Sequence, residues 1–282
     1  MITIQNFNQA ISQINIKSIM MLLCFLIVGF IVIPFILTFL VSQLGRLAKR
    51  MLVATLGSQS QMIYGGLGVI IHEISHAVVA LLFGHHITRL QLLNFKKDST
   101  TLGSVEHYYN TNNLYQKLGN YFIGLAPFYG CSFVLYLFQK LILNVHLSFA
   151  HLGFLDVSTR PLNISTLLYF IKNSLNSIFL PFNVKTILFL VITIFISSTG
   201  FSLSKNDLKS SLKGVYPFTV ILIFLGLLLT FFGKTTMMLP YIWYFINASI
   251  LFAINAVIFI FITLIPLIIM YLINYFTLEV TQ

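Results

Sequence analysis

Acidic residues are scarce in this sequence, which has only six among its 282 positions. Charged residues of both signs make up 8% of the chain, whereas soluble domains carry about 25%. This shortage of charge excludes an ordinary soluble domain, and the 58% hydrophobic content with a mean hydropathy of +0.94 indicates a membrane protein. The carboxylates that could serve chemistry are Glu73, Asp98, Glu106, Asp156, Asp207 and Glu279.

Cysteine is also scarce. Cys24 and Cys131 both lie in apolar stretches, so the chain can build neither a disulfide framework nor a cysteine-based zinc knuckle. The sequence lacks basic runs with interleaved aromatics, which nucleic-acid interfaces use, and we expect no nucleic-acid partner. We interpret the net charge of +10 as a match to anionic membrane lipid and to the membrane potential.

Long apolar runs are abundant, and they predict an all-α polytopic membrane protein with about six transmembrane helices. The first run follows a lone Lys17 and is too long for the core of a signal peptide, so we expect it to be retained. The last run exceeds one bilayer crossing, which predicts either a long helix bent at Pro266 or a span with an interfacial extension. The predicted spans are 19–41, 62–83, 118–143, 184–201, 215–232 and 241–276.

The polar segments divide the chain into parts and predict one small sheet. Residues 87–92 alternate between polar and apolar side chains, residues 101–107 are weakly strand-like, and residues 96–99 have turn composition, which predicts a β-hairpin directly after the span 62–83. The apolar pieces of 144–183 are expected to be interfacial or half-buried. The predicted parts are a polar or amphipathic N-terminal segment (1–18), a first span with a basic link (19–61), a core (62–215) and C-terminal spans (216–282).

An HExxH motif, from His72 to His76, lies inside the apolar run 62–83. Positions i and i+4 share one face of a helix, so both imidazoles can reach a single Zn²⁺ ion, while Glu73 can take a proton from a water at that ion. Ionisable groups at bilayer depth are costly and usually mark a functional site. The alternative is a packed histidine pair with Glu73 bonded to a neighbouring helix, which would need partners for three polar groups in lipid.

A zinc hydrolase site needs a third protein ligand beside the two motif histidines. His85 and His86 lie more than two turns beyond the motif, and we interpret them as polar residues at the end of the helix, near the interface. A glutamate ligand could only be Glu106 or Glu279, of which Glu106 lies in the predicted hairpin.

Asp207 is the preferred third ligand. If the spans alternate in direction, the link 202–214 emerges on the same face as the link 84–117, whereas Asp156 lies on the opposite face. Asp207 also has an alternative role in helix capping, because Ser204 as N-cap with an acidic residue three positions later is a common helix start. The two roles are compatible.

Several short elements carry a family resemblance. The HExxH helix runs on to Gly84 and is followed by the strand-like residues 87–92, a Gly-Leu-Ala-Pro element stands at 124–127, and a Ser-x-x-Asp element stands at 204–207. With these elements the chain resembles the site-2 protease family of intramembrane zinc metalloproteases, most of all its small bacterial members without a PDZ domain. The resemblance covers roughly residues 60–215, and HExxH is its most specific part.

The resemblance implies one Zn²⁺ ion held by His72, His76 and Asp207, with Glu73 as the general base. The implied activity is hydrolysis of a peptide bond in or near a transmembrane segment of a membrane-protein substrate, as in regulated intramembrane proteolysis. It also implies a multi-pass protein of a bacterial cell membrane, with 62–215 as the metalloprotease core.

The chain departs from the family pattern at two places. The family usually has Asp-Gly at the third ligand, where this chain has Asp207-Leu208. The Asn that commonly follows the Pro of the next span is absent, and Phe128, Tyr129 and Gly130 stand there instead. The residue that stabilises the transition state is therefore not identified by the motif.

Other functions stay open at this point. The chain could be a non-catalytic membrane-binding or immunity-type protein that retains the motif, or a carrier that passes metal ions between histidines. It could also be a membrane-embedded zinc peptidase of the prenyl-protease kind, with a glutamate as third ligand. For the protease, an exposed strand such as 87–92 could hold the substrate in an extended form.

Overall fold

The computed structural model of the protein describes residues 16–95, 101–144, 163–180 and 182–280, which are mainly helical. The predicted N-terminal segment 1–18 therefore lies almost wholly outside the described residues. The helices are α1 (Ile16–Ile27), α2 (Ile33–Leu56), α3 (Ser60–Ile63), α4 (Gly66–Leu82), α5 (Leu114–Leu143), α6 (Ile164–Phe179), α7 (Val184–Ser197), α8 (Lys205–Phe231) and α9 (Leu239–Val280). Short helical turns of other kinds are the π-helical Val28–Val32 and the 3₁₀ turn Thr235–Met238.

The predicted hairpin is confirmed. Strands β1 (His86–Gln91) and β2 (Ser104–Tyr108) pair antiparallel, with an irregularity in the register between Ile87 and Arg89. Gly84 follows the end of α4 with a φ of +70°, a conformation that glycine adopts without strain, and the chain enters β1 two residues later. The predicted turn at 96–99 lies outside the described residues.

The number of six spans is not confirmed. In the described part of the chain four helices are long and apolar enough to cross a membrane, and α6 with α7 would make a fifth if they are counted as one bent span. Helix α4 has 17 residues, about 25 Å, which falls short of the roughly 30 Å hydrocarbon core. The four candidate spans are Ile19–Leu56, Leu114–Leu143, Lys205–Phe231 and Thr235–Thr277.

Two helices extend beyond their apolar parts, which corrects the predicted links. Helix α2 continues to Leu56 through most of the basic link that followed the first span, and α8 begins at Lys205 inside the polar link 202–214. Leu, Ala, Lys, Arg and Gln are good helix formers, so the backbone continues as helix where the side chains become polar. Lys49 of α2 and Lys209 of α8 both face one polar cavity.

The last apolar run forms a single helix, α9, with Pro266 inside it. Its length and continuity agree with the first of the two predicted alternatives, one long helix. Within the region 144–183, α6 buries Phe170 and Ile178 and exposes several other apolar side chains, so this helix is half-buried as predicted. Residues 145–162, including Asp156, lie outside the described residues.

Helix α5 contacts α4 and α8, and small residues bring these neighbours close. A Cβ on Gly124 would lie 2.5 Å from the carbonyl oxygen of Asp207 and 2.5 Å from Cβ of Ser211, so α8 approaches nearer than any side chain would allow. On the α4 side, a Cβ on Gly130 would collide with the hydroxyl of Ser75. The two glycines thus set the distance between the HExxH helix and the start of α8.

Candidate metal centre

The two motif histidines lie together as the helical spacing predicts. His72 and His76 are both buried on α4, and their Nε2 atoms are 3.2 Å apart, with the ring centroids separated by 4.9 Å. A tetrahedral Zn²⁺ with Zn–N bonds of 2.0–2.1 Å holds its nitrogen ligands about 3.3 Å apart. The spacing of the imidazoles therefore suits a shared ion.

A backbone carbonyl orients each imidazole through the other ring nitrogen. Nδ1 of His72 donates to the Gly200 carbonyl at 2.9 Å, and Nδ1 of His76 donates to the Ile123 carbonyl at 2.7 Å. Because a carbonyl can only accept, these bonds place protons on Nδ1, and in the neutral rings the two Nε2 atoms then carry lone pairs. This is the arrangement by which proteins orient histidines that bind metals.

Both carbonyls are available because of local backbone features. In a helix the N–H of residue i+4 bonds to the carbonyl of residue i, but residue i+4 of Ile123 is Pro127, which has no N–H. Gly200 lies in the turn after α7, beyond the reach of the helical hydrogen bonds. Gly68 of α4 lets this turn approach, since a Cβ there would lie 2.5 Å from Oγ1 of Thr199.

Asp207 completes the group, as expected from the direction of the spans. Its Oδ1 lies 3.4 Å from Nε2 of His76 and its Oδ2 lies 3.7 Å from Nε2 of His72. The predicted capping role is also present, because Oδ2 accepts from the backbone N–H of Ser204 at 2.6 Å, while Oγ of Ser204 accepts from the N–H of Asp207 at 3.1 Å. The capping box therefore fixes the carboxylate at the first turn of α8.

The electrostatics of this group call for a cation. Two Nε2 lone pairs and a carboxylate, all hydrogen-bond acceptors, converge on one point, with one ligand atom from each residue within 4.8 Å of the others. Acceptors repel one another at this distance unless a proton or a metal ion lies between them. Within the described residues, His72, His76 and Asp207 form a group of side chains that could hold a metal ion.

Glu73 is buried beside this group and lines the same cavity. A Cβ on Gly103, just before β2, would lie 2.8 Å from Cγ of Glu73, so the glycine leaves the room that the carboxylate side chain occupies. The general base predicted from the motif is therefore next to the two imidazoles and open to the cavity.

The cavity has a volume of about 560 Å³ and is lined by two polar segments of the chain. One segment runs through residues 101–107, and the other runs through residues 199–213. The two links thus meet at one cavity, whereas the predicted common face of the membrane stays a prediction. Donor side chains on the wall include Lys49, Lys209 and Lys213. Strand β1, which we expected to hold a substrate, does not line the cavity; β2 does.

Glu106, the rival ligand, is turned away from the cavity. Its side chain is 59% exposed and its Oε1 lies 3.7 Å from Nη1 of Arg89. Successive residues of a strand point to opposite faces, so Glu106 faces outward where its neighbours Val105 and His107 face the cavity. The side chain of Glu279 lies outside the described part of the chain.

His85 corrects the interpretation of the residues after the motif. His86 is exposed and stacks on Tyr108, but His85 is buried, with 2% of its surface accessible. Nε2 of His85 donates to the carbonyl of Gln116 at 2.7 Å, and its Nδ1 lies 2.9 Å from Nδ1 of His107. The sequence placed His85 at the interface because the strand that covers it comes from 18 or more residues later in the chain.

His107 was not predicted as a site residue, yet it lines the cavity with the motif residues. Burial, followed by the positive charges that His85 and His76 can carry, lowers the pKa of His107 to about 4. Burial also lowers the pKa of His85, against a hydrogen bond to Gln116 that raises it. The alternation of side chains along β2 puts His107 on the same face as Val105, and this pattern could have indicated that the two residues line one surface.

Comparison of the chain with protein-family models, curated proteins and solved structures finds no match. The site has to be judged on its own geometry. One nitrogen from each of two histidines and one carboxylate oxygen converge on a shared point. Glu73 lies beside them, and a polar cavity gives access to the group.

Proposed function

We propose that the protein is an intramembrane zinc metalloendopeptidase, which hydrolyses a peptide bond in or near a transmembrane segment of another membrane protein. The observation that carries the proposal is the convergence of His72 Nε2, His76 Nε2 and the Asp207 carboxylate, with both Nδ1 protons committed to backbone carbonyls. Three acceptors held this close favour the binding of a cation at their centre.

The donor set favours zinc over Mg²⁺ and Ca²⁺. Two imidazole nitrogens and one carboxylate oxygen, with space toward a cavity for a fourth ligand, are typical of catalytic zinc sites. Oxygen-preferring ions such as Mg²⁺ and Ca²⁺ are normally bound without imidazoles. His72, His76 and Asp207 would hold the ion.

When bound, zinc lowers the pKa of water at the site to about 7 and polarises the scissile carbonyl. Glu73 would take a proton from a water molecule in the cavity as the water oxygen attacks the carbonyl carbon of the peptide. It then passes the proton to the amine nitrogen as the C–N bond breaks, so that the carboxylate is regenerated.

The surroundings of the site favour a substrate that comes from the membrane. Three of the four candidate spans contribute residues to the cavity wall, and its lysine, serine and asparagine side chains can admit water to a site among apolar helices. A peptide bond in a helix is hydrogen-bonded, so the substrate segment must unwind before its carbonyl can be attacked. Strand β2, on the cavity wall, is the better placed of the two strands to hold an unwound segment.

Metal content and cleavage by purified full-length protein in detergent test this proposal. We expect about one zinc per chain in the wild type and in Glu73→Gln, and loss of zinc in His76→Ala and Asp207→Ala. With synthetic transmembrane peptides in liposomes and mass spectrometry as the readout, Glu73→Gln should cleave roughly 10²- to 10⁴-fold more slowly than the wild type.

Glu106→Gln is the matched control, because it changes an exposed carboxylate on the hairpin near the site without entering the cavity. It should keep both zinc and activity. Zinc-free wild-type protein, or cleavage by Glu73→Gln at the wild-type rate, would contradict the proposal. Loss of zinc in Glu106→Gln with retention in Asp207→Ala would move the third ligand to the glutamate.

A further inference from the structure

A second pair of histidines forms a hydrogen-bond chain beside the proposed metal site. His85, between α4 and β1, is buried, and His107 approaches it from β2 with ring centroids 4.9 Å apart. Tyr109 stacks against the ring of His85 at 4.8 Å. Gly119 of α5 makes room, since a Cβ there would lie 3.1 Å from Nε2 of His85. The hairpin region and α5 pack around the pair.

The hydrogen bonds determine which nitrogen carries each proton. The carbonyl of Gln116 can only accept, so Nε2 of His85 carries a proton and its Nδ1, in the neutral ring, carries a lone pair. The contact of 2.9 Å with Nδ1 of His107 then requires the proton on the His107 nitrogen. The chain of donors runs from His107 through His85 to Gln116 and leaves a lone pair on Nε2 of His107.

This lone pair belongs to a residue of the cavity wall. His107 lines the cavity together with Glu73 and the two motif histidines, and no described residue hydrogen-bonds to its Nε2. The lowered pKa of His107, about 4, keeps the ring neutral near pH 7. A neutral acceptor on a partly desolvated wall is stabilised when a donor reaches it.

We propose that His107 is a substrate-binding residue whose Nε2 accepts a hydrogen bond from a backbone N–H of the unwound peptide segment, and that His85 positions it by fixing its tautomer. This inference rests on the proposed peptidase function. Glu73 is needed for proton transfer, so a separate acceptor is required to hold a peptide N–H. Because the His107 ring is uncharged, it can accept this hydrogen bond without opposing the negative charge that develops on the attacked carbonyl.

The inference predicts a preference against residues without an N–H. One position of the substrate should tolerate neither proline nor an N-methylated residue, since both lack the donor that Nε2 of His107 receives. The substrate class is therefore an extended main chain with a free amide N–H opposite β2, rather than an ester or an imide.

The tautomers can be measured without any cleavage. Long-range ¹H–¹⁵N spectra of full-length Glu73→Gln protein labelled with ¹⁵N-histidine should show His85 as the Nε2–H tautomer and His107 as the Nδ1–H tautomer at pH 7. The signals are assigned by their loss in His85→Gln and His107→Ala. In His85→Leu, which can no longer accept from Nδ1, His107 should lose its single tautomer. An Nε2–H tautomer of His107 in the parent protein would overturn the inference.

Peptide binding to the Glu73→Gln protein tests the role of the lone pair. The probe is the peptide cleaved by the wild type, together with a series in which one backbone N–H at a time is replaced by an ester oxygen. At one position the replacement should weaken binding about fivefold, and in His107→Ala the same replacement should have no further effect. Equal sensitivity of both proteins at every position would overturn the inference.

Two variants separate positioning from folding. Glutamine at position 85 can accept from His107 through Oε1 and donate to Gln116 through Nε2, so His85→Gln should bind peptide nearly as well as the parent, whereas His85→Leu should behave as His107→Ala does. His86→Ala, which removes an exposed imidazole next in sequence, is the control and should have no effect.

These experiments distinguish failure of the inference about His107 from failure of the proposed peptidase function. If the protein binds no zinc and cleaves no peptide, the metallopeptidase fails, while the tautomer measurement still stands on its own. If zinc and cleavage are present but ester replacement is equally tolerated, the inference alone fails. Zinc titration covers a further outcome: a second equivalent that is lost in His107→Ala would make the His85–His107 pair a metal site instead.

Discussion

At the residue scale, backbone carbonyls decide what the motif side chains can do. The spacing of His72 and His76 predicted their common face because the relation lies within one helix. Nothing in that spacing shows which ring nitrogen is free. The carbonyls of Ile123 and Gly200 determine this, and they come from other helices. The metal-binding capacity of the pair therefore depends on residues that carry no chemistry of their own.

Pro127→Ala should weaken zinc binding although it leaves every ligand in place. Alanine supplies an N–H that bonds to the carbonyl of Ile123, which then competes with Nδ1 of His76 for that oxygen. Loss of such a supporting hydrogen bond costs roughly 10- to 100-fold in metal affinity. Competition with a zinc chelator of known affinity measures the change.

Pro266→Ala is the matched control, because it also replaces a proline inside a helix but lies far along the chain, in α9. Its zinc affinity should equal that of the wild type. Unchanged zinc affinity in Pro127→Ala would show that the free carbonyl does not orient His76.

The lowered pKa of His107 predicts a loss of stability on acidification. In the unfolded chain its pKa returns to about 6.5, so between pH 6.5 and about 4 the unfolded state binds more protons than the folded state. Stability contributed by this residue is therefore present near pH 7 and falls as the pH falls through that window. We expect metal-free wild type to lose more stability from pH 7 to pH 5 than metal-free His107→Gln, as measured by unfolding in SDS. Equal losses would contradict the expected shift.

At the element scale, close packing of α5 against α8 brings the third ligand to the motif helix. The predicted capping box at Ser204 is local and is present, but it fixes only how α8 begins. The approach of Asp207 to the histidines depends on Gly124, whose missing side chain admits the backbone of α8. This contact joins residues about 80 positions apart, which a local pattern cannot predict.

Gly124→Ala should separate the two helices. Its Cβ would lie 2.5 Å from the carbonyl oxygen of Asp207, and backbone cannot yield as a flexible side chain can. We expect a loss of about 1–3 kcal/mol in unfolding free energy together with weaker zinc binding. Gly66→Ala is the control, since its Cβ would meet Leu93 at an ordinary 3.7 Å. If Gly124→Ala bound zinc as the wild type does, the position of Asp207 would not depend on this contact.

At the scale of the whole molecule, the link after α4 and the start of α8 line one cavity, and we therefore expect them on the same side of a membrane. The predicted alternation of spans led to the same arrangement, although the number of six spans is not confirmed. Helix α8, at 27 residues or about 40 Å, is long enough to carry the chain to the other side.

Labelling of single cysteines with a membrane-impermeant maleimide tests this arrangement. In a background with Cys24→Ser and Cys131→Ser, Asn112→Cys and Lys205→Cys should react from the same side of sealed vesicles, and Lys234→Cys should react from the opposite side. Reaction of Lys234→Cys from the same side as Lys205→Cys would show that α8 does not cross.

Features that depend on near neighbours along the chain could be predicted from the amino-acid sequence. These are the helical spacing of the motif, the hairpin after Gly84, the capping box at Ser204 and the apolar character of the long helices. Apart from the pairing of the two strands, each rests on residues a few positions apart, where backbone geometry fixes the relation.

How these parts meet depends on the packing of the folded chain. In the folded chain the Nε2 atoms of the motif face Asp207, and His107 rather than Glu106 lines the cavity. The side chain of His85 is buried. Helix α4 ends at 17 residues, and α8 extends into the polar link. These outcomes depend on packing between distant segments and on which backbone groups remain free to accept hydrogen bonds, and neither is encoded in any local pattern of residue types.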